Sequence, residues 1–75
     1  MGYPNEKQPA LTTIIMIIRD MERDIGMVNE EFIFDGLMER HGIGKEDATK
    51  LINILHNRFT IYSPKPGYYK INFHP

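Results

Sequence analysis

Few residues in this chain have the type and spacing to do covalent chemistry. Gly44-Lys45 matches the end of a phosphate loop, in which backbone N–H groups and a lysine hold a nucleotide's phosphates. Glu46 stands where that pattern needs Ser or Thr, and Glu39 stands where it needs its first glycine. The pair therefore reads as the start of a helix. His41, His56 and His74 are scattered, without the spacing of a metal site, and there is no cysteine. His41 is expected near a helix C-terminus, where its charge suits the dipole, and His56 on a helix flank. Ser63 and these histidines assemble no nucleophile, base and orienting group. The expectation is a binding module, not an enzyme, with no cofactor and no metal.

Contact with a polyanion is the chemistry the remaining side chains suit. Residues 1–43 carry four basic against eight acidic side chains, and residues 44–75 carry five against two, so an acidic half precedes a basic one. Such polarity orients a domain toward nucleic acid, although the net charge is only -1. Lys50 can neutralise a phosphate or reach a base edge, and the Asn53 and Asn57 amides can read adenine. Arg58, Lys65 and Lys70 are further cations in reach of a backbone, and Tyr68 can stack or hydrogen-bond to phosphate. Glu46 and Asp47 oppose close approach of DNA. If Lys50, Arg58, Lys65 and Lys70 form one patch, DNA is favoured as partner; if carboxylates interrupt them, protein contact is.

The elements that position these residues follow from periodicity. Residues 1–9 contain Pro4 and Pro9 and read as a flexible tail or linker, with one domain from 10 to 75. Leu11, Ile14, Ile15, Ile18 and Ile25 recur at helical spacing, widened by Ile17 and Met21, and predict a helix from about residue 10 to 25 that Gly26 ends. Met27-Val28 is a short apolar step. Asn29 is the expected N-cap of a second helix, with Glu30 and Glu31 at its dipole-favoured end and an apolar face of Phe32, Ile33, Phe34, Leu37 and Met38. Gly42 closes it. A third helix runs from Gly44 to Asn57, burying Ala48, Leu51, Ile52, Leu55 and Phe59, with Glu46, Lys50, Asn53 and Asn57 opposite.

The period then becomes two. Thr60 to Tyr62 and Tyr68 to Phe73 predict two strands around the turn-rich Ser63-Pro64-Lys65-Pro66-Gly67. Tyr69, Ile71 and Phe73 share the inner side, and Tyr68, Lys70 and Asn72 the outer. An isolated hairpin is unstable in water, so it must pack on the helices, where Met27-Val28 is placed to add a third strand. The fold class is α+β: a winged helix-turn-helix of three helices and a small antiparallel hairpin wing, its third helix the one that enters a DNA groove. The expected core is Leu11, Ile14, Ile15, Ile18, Ile33, Leu37, Leu51, Ile52, Leu55, Ile61, Tyr69 and Ile71. The longest apolar run, Ile14 to Ile18, is too short to span a bilayer, and no secretory signal layout is present, so a soluble intracellular protein is expected.

The stretch from Gly42 to Ile71 resembles the C-terminal winged-helix domain of archaeal minichromosome maintenance (MCM) helicases. The resemblance rests on the hairpin, Ile61-Tyr62, one residue, Pro64, then Pro66-Gly67-Tyr68, and on Gly42-Ile43-x-Lys45-Glu46-Asp47 leading into the third helix. It extends over about residues 10 to 73. It implies an accessory role at a replicative DNA helicase whose ATPase motor is a separate domain. The implied partners are DNA, bound weakly, and the helicase ATPase domain or a replication-initiation protein. It also implies a monomeric domain in the cytoplasm, associated with the nucleoid. That family has a glycine where the third helix meets the strand. Here the residue is Phe59, and Asn57 is the expected left-handed substitute.

Overall fold

A computed structural model describes residues 7–72, and side chains from Pro9 onward. Phe73 and His74, assigned above to the second hairpin strand and the histidine set, lie outside the described residues, as do residues 1–6.

The first helix, α1, spans Lys7–Ile25 and starts three residues before its predicted boundary. Pro9 falls in its first turn, where a missing N–H costs nothing. So residues 7–9 are helix, not tail. Ala10, Leu11, Ile14 and Ile18 form its buried stripe, and Ile15, Ile17 and Met21 pack half-buried beside it. Ile25 shares the angle of Ile18 but sits on the last residue of the helix, where no element covers it; it is 60% exposed, contrary to its expected place on the buried face.

Strand β1 is Val28–Asn29. Val28 is fully buried, and Asn29 caps α2 (Glu30–His41), its side chain accepting the Glu31 N–H at 2.8 Å. Ile33, Phe34 and Leu37 face the core. Phe32 and Met38, also expected on that face, are about half exposed. At 3.6 residues per turn Phe32 lies about 150° and Met38 about 90° from the middle of the Ile33, Phe34 and Leu37 stripe, on opposite flanks. Gly36 does more than weaken the helix. A Cβ built there would stand 2.5 Å from Ile17 Cδ1, so the missing side chain lets α1 and α2 approach. His41 ends α2 as expected, and its Nε2 lies 2.7 Å from Thr13 Oγ1. The Thr13 hydroxyl donates to Pro9 O at 3.0 Å, which leaves its lone pairs to accept from the imidazole N–H. This joins the ends of α1 and α2.

Gly42 to Gly44 turn the chain into α3 (Lys45–Asn57). Ala48, Leu51, Ile52 and Leu55 are buried, as their spacing requires. Phe59 is not: it is 75% exposed. The helix ends before reaching it, so the i, i+11 repeat no longer applies. Asn57 remains helical, and Phe59 itself takes the left-handed conformation, with φ 61°. The chain enters β2 (Ile61–Tyr62), turns through the wing, and returns as β3 (Tyr68–Ile71). The sheet order is β1-β3-β2, all antiparallel, pairing Val28 with Tyr69, Asn29 with Tyr68, Ile61 with Ile71 and Tyr62 with Lys70. The third strand expected from Met27-Val28 is therefore present, shifted by one residue. The result is an α+β winged-helix fold. Its core holds the predicted residues except Ile15, Tyr69 and Ile71, which are partly buried, and adds Ala10, Val28, Phe34 and Ala48. Among the described residues no helix is long and apolar enough to cross a membrane.

Tyr69 packs edge-on to the His56 ring, with centroids 6.4 Å apart. Burial, helped by the nearby Glu30 carboxylate, pushes its phenol above the ordinary value of 10.0. The unfolded chain therefore gives up this proton at lower pH than the folded one. Stability from Tyr69 is fully present below about pH 10 and is lost as pH rises through the higher native pKa. Urea midpoints measured from pH 9 upward should fall more steeply for the wild type than for Tyr69→Phe. Equal slopes would remove Tyr69 as the source.

Candidate nucleic-acid interface

The seven residues proposed for DNA fall into three local groups. On α3, Lys50 and Asn53 are exposed opposite the buried stripe. Lys50 Nζ lies 3.9 Å from Asp47 Oδ1, one turn earlier, with both side chains about 70% exposed. Such a pair adds little stability, but it places a carboxylate beside the cation. Asn57 and Arg58 form the second group, exposed at the C-terminal end of α3; the Arg58 N–H donates to Ile54 O at 3.1 Å.

The third group is the wing. Ser63 Oγ and the Tyr68 N–H both donate to Lys65 O, at 2.6 and 3.1 Å, which ties the loop into a tight knot. Lys65 Nζ stands 4.5 Å from the centroid of the Tyr68 ring. This exposed cation–π contact holds charge and ring together at the wing tip, at about 0.5–1 kcal/mol. Lys70 lies farther down β3, opposite Tyr62. Both line an open groove of about 540 Å³ with Glu22, Ile71 and Asn72.

Asp47 accompanies Lys50, and Glu22 lines the same groove as Lys70. Among the described residues Arg58, Lys65 and Lys70 form no ion pair.

Periodicity and composition also missed several residues. Glu22 Oε2 accepts the Ile71 N–H at 3.0 Å, satisfying β3 where the two-residue β1 has run out. Lys45 reaches Glu31 at 3.8 Å and covers the Phe34 ring at 5.3 Å, so α3 is pinned to α2 at its start. Neither contact has a local sequence signal, since each joins residues far apart in the chain. Among the described residues no three His, Asp or Glu side chains gather as a metal site.

No family model matches the chain. An uncharacterized MCM-type protein of Methanocaldococcus jannaschii is 33% identical over 72 residues. The chain is similar to part of an MCM-type protein. The match takes in 93% of this chain but only 9% of that protein, so the chain spans a small fraction of its relative's length. The MCM-related similarity covers nearly the whole winged helix, from α1 to the wing, and so is not confined to the hairpin motif.

Proposed function

We propose that the chain is an accessory winged-helix module of an MCM-type replicative helicase, corresponding to the C-terminal winged-helix domain of the archaeal enzymes. Its role is to bind and to modulate, not to catalyse. It contacts DNA weakly and largely without sequence preference, and it docks on the helicase ATPase domain or a replication-initiation protein, in the nucleoid-associated cytoplasm. The observation that carries this reading is the MCM-type similarity running through almost the whole fold. DNA contact belongs to the wing and the end of α3, where Lys65, Tyr68 and Arg58 have no carboxylate at ion-pair distance among the described residues. Lys70, Lys50, Asn53 and Asn57 are secondary contacts.

Nonspecific duplex binding on the order of 10⁻⁴ to 10⁻⁶ M at physiological salt is expected. Lys65→Ala should weaken it equally on all sequences and lower the salt slope by about 1. Neutralising Glu46 and Asp47 should tighten it. An NMR titration with duplex and single-stranded DNA tests this directly; resonances that stay still at low salt with excess DNA would refute DNA contact. A second reading, docking on protein without DNA contact, is favoured by the Asp47 carboxylate beside Lys50 and by Glu22 in the groove that Lys70 lines. It predicts that same silent titration, together with shifts on adding the helicase body.

A further inference from the structure

We infer that Phe59 is the anchor of a protein-docking site, a ring held out to enter an apolar pocket with a carboxylate on its rim; this rests on the accessory-module reading above. Among the described residues Phe59 is the one non-glycine with positive φ, at 61°. A bulky residue there is a conformational outlier that persists only where surrounding structure enforces it. Three hydrogen bonds do so. The Phe59 N–H donates to His56 O at 3.1 Å, and the Thr60 N–H to Leu55 O at 3.0 Å. Asn72 Nδ2 donates to Phe59 O at 3.0 Å. The turn is needed to take the chain from α3 into β2, and glycine would make it without strain.

Among the described residues the ring stacks on no other ring and meets no cation. It is 75% exposed, more than any other large hydrophobic side chain described. An apolar ring on an over-determined backbone is preorganised for binding, because little freedom remains to be lost. Its surroundings define the partner. Arg58 precedes it in the chain, is likewise exposed, and forms no ion pair among the described residues. From residue 48 to residue 75 the chain contains no Asp or Glu. The complement of such a surface is an apolar cavity with a carboxylate for the guanidinium, and an aromatic ring beside an arginine is the composition of a binding hot spot. A nucleic-acid strand fits less well. It needs cations tracking successive phosphates, with rings for successive bases. The adjoining groove that offers Lys70 also carries Glu22.

The test uses two probes against the ¹⁵N-labelled chain: the M. jannaschii MCM-type protein lacking the region that matches this chain, and oligothymidylate. Phe59 and Arg58 resonances should shift with the protein probe. Phe59→Gly should raise the thermal midpoint by about 5 °C, by removing left-handed strain. It should weaken protein binding about 30-fold, the factor of a hot-spot residue. Phe59→Asn, which tolerates the left-handed backbone, should weaken binding equally, and Phe59→Tyr should retain it. A wild-type chain that ignores the protein probe overturns this inference, and the accessory-module reading falls with it only if the duplex titration is silent as well. Wild-type binding that Phe59→Gly leaves unchanged overturns the inference alone. So does a lower midpoint for both Phe59→Gly and Phe59→Asn, which would make the ring a packing residue. Loss of oligothymidylate binding with protein binding intact would assign Phe59 to nucleic acid and overturn it as well.

Discussion

Replacing Leu51 with alanine is expected to remove about 2–5 kcal/mol of folding stability. Leu51 is 6% exposed and belongs to the buried stripe of α3, in one cluster with Leu37, Ile52, Leu55 and Ile61. Truncation loses the transfer free energy of the side chain and leaves a cavity that the short helix can only partly collapse. A chain of 75 residues has only about 4–11 kcal/mol in total at typical values per residue. The variant should therefore be close to unfolded at ambient temperature, with a midpoint at least about 10 °C lower by circular dichroism. Asn53→Ala, on the exposed face of the same helix, should stay within about 0.5 kcal/mol of wild type. An unchanged midpoint for Leu51→Ala would mean that α3 presents a different face to the core.

The second large effect is expected at Gly67, where valine should cost about 1–2 kcal/mol or more. Gly67 has φ 83°, and a Cβ built there meets nothing within 4 Å. The penalty is therefore one of backbone conformation and not of collision, and a β-branched side chain makes it worst. The position also matters for assembly. Gly67 O accepts the Glu30 N–H at 2.8 Å, just beside the pairing of Asn29 with Tyr68. Straightening the residue would pull the wing off the start of α2. The midpoint should drop by about 5–15 °C, and amide exchange should quicken first in β1 and β3. Gly67→Asn should lose less, because asparagine tolerates the left-handed region. A fully tolerated valine would contradict the turn geometry.

Much of this architecture is legible in the sequence. A helix must hide one face in 3.6-residue steps, so Leu11, Ile14 and Ile18, and likewise Ala48, Leu51, Ile52 and Leu55, announce both their helices and the inward side. Asn29 ahead of Glu30 and Glu31, and the Pro/Gly loop between Tyr62 and Tyr68, carry their local geometry in their own side chains. The MCM resemblance was also legible in the hairpin motif, and the similarity to an MCM-type protein over 72 residues agrees with it at that level.

Periodicity was less informative at element ends. It placed Ile25 and Phe59 inside because it assumes that a helix and its neighbours continue, and at both positions they stop. It could not foresee that Phe59 would take the left-handed turn itself, since that choice is made by hydrogen bonds to the His56 and Leu55 carbonyls and from the Asn72 amide. The candidate interface divides in the same way. Residue types were enough to nominate Lys50, Arg58, Lys65 and Lys70 as cations. Whether those charges act together depends on what stands beside each, and that is a matter of distance in space.

The sequence by itself thus determined the fold class, most of each buried stripe, the caps of α2 and the wing turn, because each is written in residues within one or two turns of one another. Only the tertiary structure decided that Glu22 closes β3, that Thr13 meets His41, that Lys45 reaches Glu31 across α2 and α3, and that Asp47 stands beside Lys50. All but the Asp47–Lys50 pair join residues from different elements. Their energies depend on distances that no local pattern encodes, and they exist only once the helices and the sheet have packed.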